Sequence, residues 1–180
     1  HHRPGSHRSR DRRVAPQGPY GGEGTGKSPV DRGKLGWKWS IGVDRHGVPL
    51  GCAIDGSNRN DVRLLEPTLD AIAADGWTAE IETMHLDRGY DYPKIRRQLI
   101  AAGLSDHVIQ RRRQPGDHRP KSITLGLRWI VEATNSWLSN YGQLRRNTDR
   151  KLCHRHAAMC LAVTVLIVGK LLTHRDRHCR

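Results

Sequence analysis

The fold class is decided by residues 81–91, which read Ile-Glu-Thr-Met-His-Leu-Asp-Arg-Gly-Tyr-Asp. Residues 81–86 have the composition of a short strand, and Gly89 lets the backbone turn directly after it. Asp87 therefore emerges at the carboxyl end of a strand, the edge at which open α/β sheets bind their ligands. The segment predicts a sheet-containing fold with a functional carboxylate at position 87.

The sequence on either side of this segment predicts an α/β domain. Alternating β-prone runs flank a turn at 44–47 and predict a hairpin, whereas apolar residues at helical spacing predict helices elsewhere. The order β-β-α-β-α-β-α-α is typical of a sheet with helices packed on it. In chain order, the predicted elements are strands at 37–43 and 48–54, a helix from Asn60 or Asp61 to Gly76, a strand at 81–86, a helix at 93–103, a strand at 107–110 and helices at 127–138 and 155–172.

Composition divides the chain into three parts. Residues 1–36 are rich in His, Arg, Gly and Pro and have almost no apolar periodicity, so we expect a disordered or loop segment there. Residues 37–172 carry the periodic patterns and form the expected folded domain. Residues 173–180 form a polar tail.

The charge balance indicates a polyanionic partner. The chain has 31 Lys and Arg against 18 Asp and Glu, a net charge of +13. Nucleic acid is the usual partner of such a surplus, and most of it is Arg, whose planar fork suits phosphate. The alternative is a basic surface that serves solubility or assembly with an acidic protein.

The location predicted from sequence is the cytoplasm. The cysteines show no C-x-x-C pair, which favours free thiols in a reducing compartment, and residues 1–20 lack the apolar core of a secretory signal. The apolar run 157–172 is short for a membrane span and contains Lys170, so it predicts a buried helix and no membrane partner.

A second carboxylate, Glu132, lies inside the apolar helix Trp-Ile-Val-Glu-Ala at 129–133. A lone carboxylate is costly to bury, so the position calls for a partner or a function. Arg128 lies four residues earlier on the same helix face. The alternative to a functional role is a plain Arg–Glu helix pair, which contributes about 0.3–0.5 kcal/mol.

Long stretches of the chain resemble the DDE-type insertion-sequence transposases. They are Gly-Gly-Glu-Gly-Thr-Gly at 21–26, Asp-Arg-Gly-Lys-Leu-Gly-Trp-Lys-Trp-Ser at 31–40, Asn-Arg-Asn-Asp at 58–61, Leu-Asp-Arg-Gly-Tyr-Asp at 86–91, Leu-Gly-Leu-Arg-Trp-Ile-Val-Glu at 125–132 and Thr-Asn-Ser-Trp-Leu-Ser-Asn-Tyr-Gly-Gln-Leu-Arg-Arg-Asn-Thr-Asp-Arg at 134–150.

The resemblance implies an RNase H-like mixed sheet flanked by helices, and metal-dependent DNA cleavage and strand transfer. In such enzymes three carboxylates hold two divalent metals, Mg²⁺ or Mn²⁺. Asp87 matches the family's second aspartate and Glu132 its glutamate, which implies catalytic and metal-binding roles for both. The implied partner is double-stranded DNA at element ends and target, in the nucleoid, and a homo-oligomer is compatible with it. The implied DNA contacts are Arg128, Arg145, Arg146 and Arg150; the basic run of Arg111, Arg112 and Arg113 is either a DNA-backbone contact or a solvated charge run.

The first aspartate of the family has no clear counterpart. In close relatives it lies before the Gly-rich stretch, in a run such as Asp-Gly-Ser-Leu-His-Lys-Ala-Pro, where residues 12–19 here read Arg-Arg-Val-Ala-Pro-Gln-Gly-Pro. The codons CGA CGG GTC GCT CCA CAA GGC CCC would encode this segment, and read one base later they encode Asp-Gly-Ser-Leu-His-Lys-Ala. We therefore hypothesise that residues 1–19 are translated out of frame and that the first strand is missing or scrambled. Asp11, in a run of arginines, is not expected to substitute. A catalytically inactive DNA-binding remnant is then the alternative to an active enzyme.

Two further patterns allow more than one interpretation. Residues 21–28 fit the phosphate-loop pattern G-x-x-x-x-G-K-[ST], which makes a nucleotide-binding protein another alternative, yet the strand before it and the helix after it that this site needs are not predicted. The Gly-rich stretch is instead expected to be a flexible approach to the first hairpin. Trp129 and Trp137 lie eight residues apart and are expected to pack in the core.

Overall fold

The computed structural model describes residues 16–109 and 125–178. Every predicted element is present in the predicted order, so the α/β class is confirmed. The elements are β1 (Gly26–Lys27), β2 (Leu35–Val43), β3 (Pro49–Gly56), α1 (Val62–Ala74), a 3-10 turn (Trp77–Glu80), β4 (Met84–Leu86), a second 3-10 turn (Arg88–Tyr90), α2 (Pro93–Ala101), β5 (His107–Ile109), α3 (Leu125–Asn140), α4 (Gly142–Arg145) and α5 (Leu152–His178).

The strands form two sheets and not the single mixed sheet that we expected. Strands β1, β2 and β3 are antiparallel neighbours in that order, whereas β4 pairs in parallel with β5. Within residues 16–109 and 125–178, no strand is hydrogen-bonded between the two sheets. Residues 1–15, which include most of the segment expected to hold the scrambled first strand, lie outside the described residues.

The hairpin of β2 and β3 has a helical layer on each face. Neighbouring side chains of a strand point to opposite faces. Trp37 and Trp39 pack in one core cluster with Leu138 and Met159, from helices α3 and α5. On the other face, Gly42 and Gly51 of the hairpin lie against Ile72 in α1, and a Cβ at Gly51 would lie 2.8 Å from the amide nitrogen of Ile72.

Helix α1 also joins the two sheets. Its buried residues Leu65, Leu69 and Ile72 follow helical spacing, and they share a second core cluster with α2 and with Ile109 of β5. Asn60 caps the helix start, because its Oδ1 accepts a hydrogen bond of 3.1 Å from the amide of Val62. The short β4–β5 sheet is therefore held against the hairpin through a common helix.

The predicted core face of α3 is wrong. Trp129 is 68% exposed and Trp137 is 66% exposed, whereas Thr134 and Leu138 are buried. Helix α3 carries two apolar stripes, and the one with Leu138 meets Trp37. We interpreted Trp129 and Trp137 as core residues because they lie on one apolar stripe of the helix. In the structure that stripe faces solvent.

Helix α5 differs from the predicted buried helix in extent and in burial. It runs to His178, through the region expected to be a polar tail. Its buried apolar residues, Met159, Ala162 and Leu166, form one narrow stripe, and Leu161 and Leu171 on the outside are exposed. Among the described helices, α5 is long and apolar enough to cross a membrane by length and composition, a criterion that core helices of soluble proteins also meet.

Part of the segment expected to lack order has a definite structure. Within residues 16–36, Lys27 of β1 pairs with Leu35 of β2, and the amide of Ser28 donates to the carbonyl of Lys34 at 2.9 Å. Gln17 forms an isolated bridge with Gly36. For residues 16–36, the loop alternative therefore describes most of the segment, and the alternative of disorder is wrong.

Candidate functional site

Asp87 lies where the sequence placed it, directly after strand β4. Its backbone is extended, and its Oδ1 accepts a hydrogen bond of 2.7 Å from the amide of Arg88, which caps the 3-10 turn that follows. The side chain is exposed. The carboxylate is thus fixed by one oxygen and open to solvent, and so to a cation.

Tyr90 connects the Asp87 turn to the hairpin. Its hydroxyl shares a side-chain hydrogen bond with Ser40 of β2, and the carboxylates of Asp61 and Asp87 lie near enough to act on it. Asp61 in turn accepts a hydrogen bond of 2.6 Å from Nζ of Lys38. Burial, followed by the charge of Asp61, raises the pKa of Tyr90 to about 12. The tyrosine braces Asp87 against β2 as a neutral group.

The raised pKa of Tyr90 predicts a loss of stability at alkaline pH. The ordinary pKa is 10.0 and the folded value is about 12, so the stabilisation is complete below pH 10 and disappears as the pH rises through 12. The difference corresponds to about 3 kcal/mol of the free energy of unfolding. We expect Tyr90→Phe to flatten this decline when urea unfolding is measured at pH 9 and pH 11. Tyr20→Phe, at an exposed ring, should keep the wild-type decline, and an equal flattening in both variants would contradict the assignment.

Glu132 is half-buried on helix α3. The helix is fastened to the hairpin one turn further on, where Nε1 of Trp39 donates to Oδ1 of Asn135 at 3.0 Å. Thr134 adds a hydrogen bond of 3.3 Å to the carbonyl of Gly47. Asn135 lies three residues after Glu132 and so on the same side of the helix. The side chain of Arg128 is outside the described part of the structure, so its pairing with Glu132 stays a prediction.

The surroundings of the two acids meet at strand β2. Tyr90, next to Asp87, contacts Ser40, and Asn135, next to Glu132, contacts Trp39. Because residues 39 and 40 are neighbours on one strand, these two contacts come from opposite faces of the hairpin. Carboxylate oxygens are the ligands that Mg²⁺ and Mn²⁺ prefer, so the donor chemistry of Asp87 and Glu132 fits such an ion. In the described part of the chain, no three His, Cys, Asp or Glu residues gather into a metal-binding group.

Asp61 is a neighbour of this site that its sequence context did not reveal. We predicted only a helix-capping role for it, but Asn60 makes the capping bond and Asp61 faces Lys38 and Tyr90. The stretch 58–61 was one of those that carry the family resemblance, and that was the available signal. Residues so far apart in sequence show no common periodicity, so only the fold brings them together.

Residues 145–151, here called the basic turn, form an ordered cationic surface between α4 and α5. Four of its seven side chains are cationic and exposed. Its main chain is held by Gln17, whose amide donates to the carbonyl of Arg145 and whose carbonyl accepts from the amide of Asn147, both at 2.9 Å. Leu144, directly before the turn, and Asn147, within it, are fully buried. The cationic members are Arg145, Arg146, Arg150 and Lys151.

The Gly-rich stretch 21–26 packs against the basic turn and is not a phosphate loop. The amide of Glu23 donates to the carbonyl of Arg150 at 2.8 Å. Lys27 lies in β1, which leads through a turn into β2, so no helix presents amide groups to a phosphate. The nucleotide-binding alternative is therefore wrong, and so is the expectation that this stretch is flexible. Arg111, Arg112 and Arg113 lie outside the described residues.

Comparison with known proteins gives one consistent result. The family described as the transposase DDE domain matches residues 6–168. The chain is also similar to a protein of Burkholderia cepacia assigned as the transposase for insertion sequence element IS402, with 34% identity over 174 residues, which cover 94% of this chain and 80% of the relative. No solved structure matches the chain.

Proposed function

Because the chain belongs to the family of DDE-domain transposases, we propose that it is the transposase of an insertion element, which cleaves and joins DNA strands with Mg²⁺ or Mn²⁺. The observation that carries the proposal is the similarity over nearly the whole chain to one named insertion-sequence transposase. A net charge of +13 supports a DNA partner independently of that similarity. The expected site of action is the DNA of the cytoplasmic nucleoid.

We assign DNA-backbone contacts to exposed cationic residues, and the basic turn is the best-defined part of this surface. Arginine on a fixed main chain can donate two parallel hydrogen bonds to a phosphate, and each neutralised phosphate releases counterions. Arg145, Arg146 and Arg150 are exposed while the neighbouring Leu144 and Asn147 are buried, which points the turn outward. Arg128 and the run at 111–113 complete the proposed contacts with element ends and target DNA.

The proposed metal ligands are Asp87 and Glu132, although their neighbours Tyr90 and Asn135 contact β2 from opposite faces of the hairpin. A divalent ion held there would supply Lewis-acid activation of a water molecule or 3′-hydroxyl and would stabilise the leaving oxygen. The protein's own part is to hold the carboxylates: Arg88 fixes one oxygen of Asp87, and Trp39 fixes the helix of Glu132 through Asn135. Tyr90, neutral at physiological pH, keeps the Asp87 turn against β2 without adding charge to the site.

A second candidate function is DNA binding without cleavage. It is favoured by one specific observation, since among the described residues no group of three His, Cys, Asp or Glu forms around Asp87 or Glu132. Two carboxylates hold a hard cation less firmly than the larger oxygen sets usual for such ions. The out-of-frame reading of residues 1–19 would account for this incomplete set.

One experiment distinguishes the two candidate functions: the nicking of supercoiled plasmid by the purified chain in Mg²⁺ or Mn²⁺. An active transposase is expected to nick the plasmid, and Asp87→Asn and Glu132→Gln are each expected to reduce the rate by at least about a hundredfold. Asp70→Asn and Glu66→Gln, at exposed positions of α1, are the matched controls and should nick like wild type. Plasmid binding without nicking in either metal would support the inactive DNA-binding chain.

The DNA-binding part of the proposal predicts a change in salt dependence. Replacing Arg145, Arg146 and Arg150 together by Gln should lower the slope of log affinity against log salt by about 3, because each phosphate contact contributes about 0.9. Fluorescence anisotropy with a labelled duplex measures this. Arg63, Lys94 and Arg97, exposed cations of α1 and α2 replaced together by Gln, are the matched control. An unchanged slope in the basic-turn variant would contradict the assignment.

A further inference from the structure

Arg155 is a fully buried arginine that the proposed chemistry does not use. It has no exposed surface, and it lies in the first turn of α5. A cation there opposes the helix dipole, and burying a guanidinium is costly unless hydrogen bonds compensate. A stabilising effect on α5 therefore does not explain why an arginine occupies this buried position. Its hydrogen bonds are the remaining explanation.

The guanidinium of Arg155 joins two segments that are far apart in sequence. Its Nη2 donates to the carbonyl of Gly21 at 2.7 Å and also to the carbonyl of Asp149, while Nη1 donates to the carbonyl of Glu23. The carboxylates of Glu23 and Asp149 act on its charge. One side chain thus ties the Gly-rich stretch to the main chain of the basic turn.

Glu23 supports the same junction from the other side. Its Oε2 accepts a hydrogen bond of 2.8 Å from the amide of Leu152, at the start of α5. A carboxylate at this end of a helix interacts favourably with the helix dipole. Its own amide donates to the carbonyl of Arg150 at 2.8 Å. The basic turn is therefore held at Asp149 and Arg150, and at Leu152 directly after it.

This arrangement fixes the main chain that carries the cations of the basic turn before any ligand binds. A preformed site loses less conformational entropy on binding, which raises affinity without adding a contact. Lysine could not replace Arg155, because three carbonyls in two segments match the planar fork of a guanidinium and not a single ammonium group.

We propose that Arg155 is a positioning residue that sets the basic turn for binding to the phosphate backbone of DNA. The inference rests on the proposed DNA-binding function. Arg155 does not touch the DNA, since it is fully buried. It acts on Arg150 indirectly: it bonds the carbonyls of Asp149, which precedes Arg150, and of Glu23, whose own amide bonds the carbonyl of Arg150.

Duplex binding by Arg155→Lys tests the proposal, with folding checked by circular dichroism. Affinity at fixed salt should fall about tenfold. Arg150→Gln should then cost less in the Arg155→Lys background than in wild type, a coupling that a purely structural residue would not show. Arg175→Lys, exposed on the same helix, is the matched control and should bind like wild type. Unchanged affinity, or additive effects of the two substitutions, would overturn the proposal.

Glu23→Ala provides a second test of the proposal, which can be used if Arg155→Lys does not fold. The substitution removes the bond to Leu152 from an exposed side chain and leaves the carbonyl that Arg155 uses. It should weaken binding by about threefold and reduce the effect of Arg150→Gln. Equal effects of Arg150→Gln with and without Glu23→Ala would overturn the proposal. A wild-type chain that binds no duplex at all would instead refute the proposed DNA-binding function itself.

Discussion

Trp37→Ala is expected to lower the free energy of unfolding by about 3–5 kcal/mol, because it empties the largest fully buried side-chain volume of the hairpin. The ring has no exposed surface, and it packs edge-on against Trp39 with centroids 5.5 Å apart. On its other sides it meets Leu138 of α3 and Met159 of α5. Domains of this size are stable by only about 5–15 kcal/mol, so the loss should be visible as a large shift in a urea unfolding curve.

Trp137→Ala is the matched control for this prediction. The residue is also a tryptophan and directly precedes Leu138 in sequence, but it is 66% exposed. Substitutions at such surface positions usually change stability by within about 0.5 kcal/mol. Comparable losses in the two variants would mean that the wrong stripe of α3 has been assigned to the core.

The sequence contained enough information to order the elements, because alternating and helical apolar patterns are local. The hairpin, α1 and the position of Asp87 after β4 follow from such patterns. The face of α3 could not be predicted in the same way. Trp129 and Trp137 share one stripe and Thr134 and Leu138 another, and periodicity does not say which stripe meets β2. Only the fit against Trp37 decides.

The candidate site was predictable only in part, for a related reason. Asp87 and Glu132 were found because each stands in a local context that a pattern can describe. Arg155 was not, since its partner Gly21 lies 134 residues away in sequence. A buried arginine in an apolar helix looks like a solvated surface residue until its distant carbonyl partners are known. Contacts of this kind hold the Gly-rich stretch, whose composition suggests flexibility, in a defined position against the basic turn.

Gly22→Ala should test that support most severely, with an expected loss of about 3–5 kcal/mol in the free energy of unfolding. Gly22 has a φ of 101°, which L side chains rarely adopt. A Cβ added there would lie 2.7 Å from the Cα and 2.8 Å from the carbonyl carbon of Arg150, and closer still to its oxygen. Because all three are main-chain atoms of the basic turn, the turn itself must move, so duplex affinity should fall with stability.

Gly33→Ala separates backbone strain from this close approach. Gly33 also has a positive φ, of 71°, but an added Cβ would meet nothing within 4 Å. Its expected cost is therefore about 1–2 kcal/mol of backbone strain alone. Urea unfolding of both variants measures the difference, and duplex binding by the folded fraction shows whether Gly33→Ala keeps wild-type affinity. If Gly22→Ala cost no more than Gly33→Ala, the main chain of the basic turn would have to be free to retreat, and the junction that Arg155 holds would not be rigid.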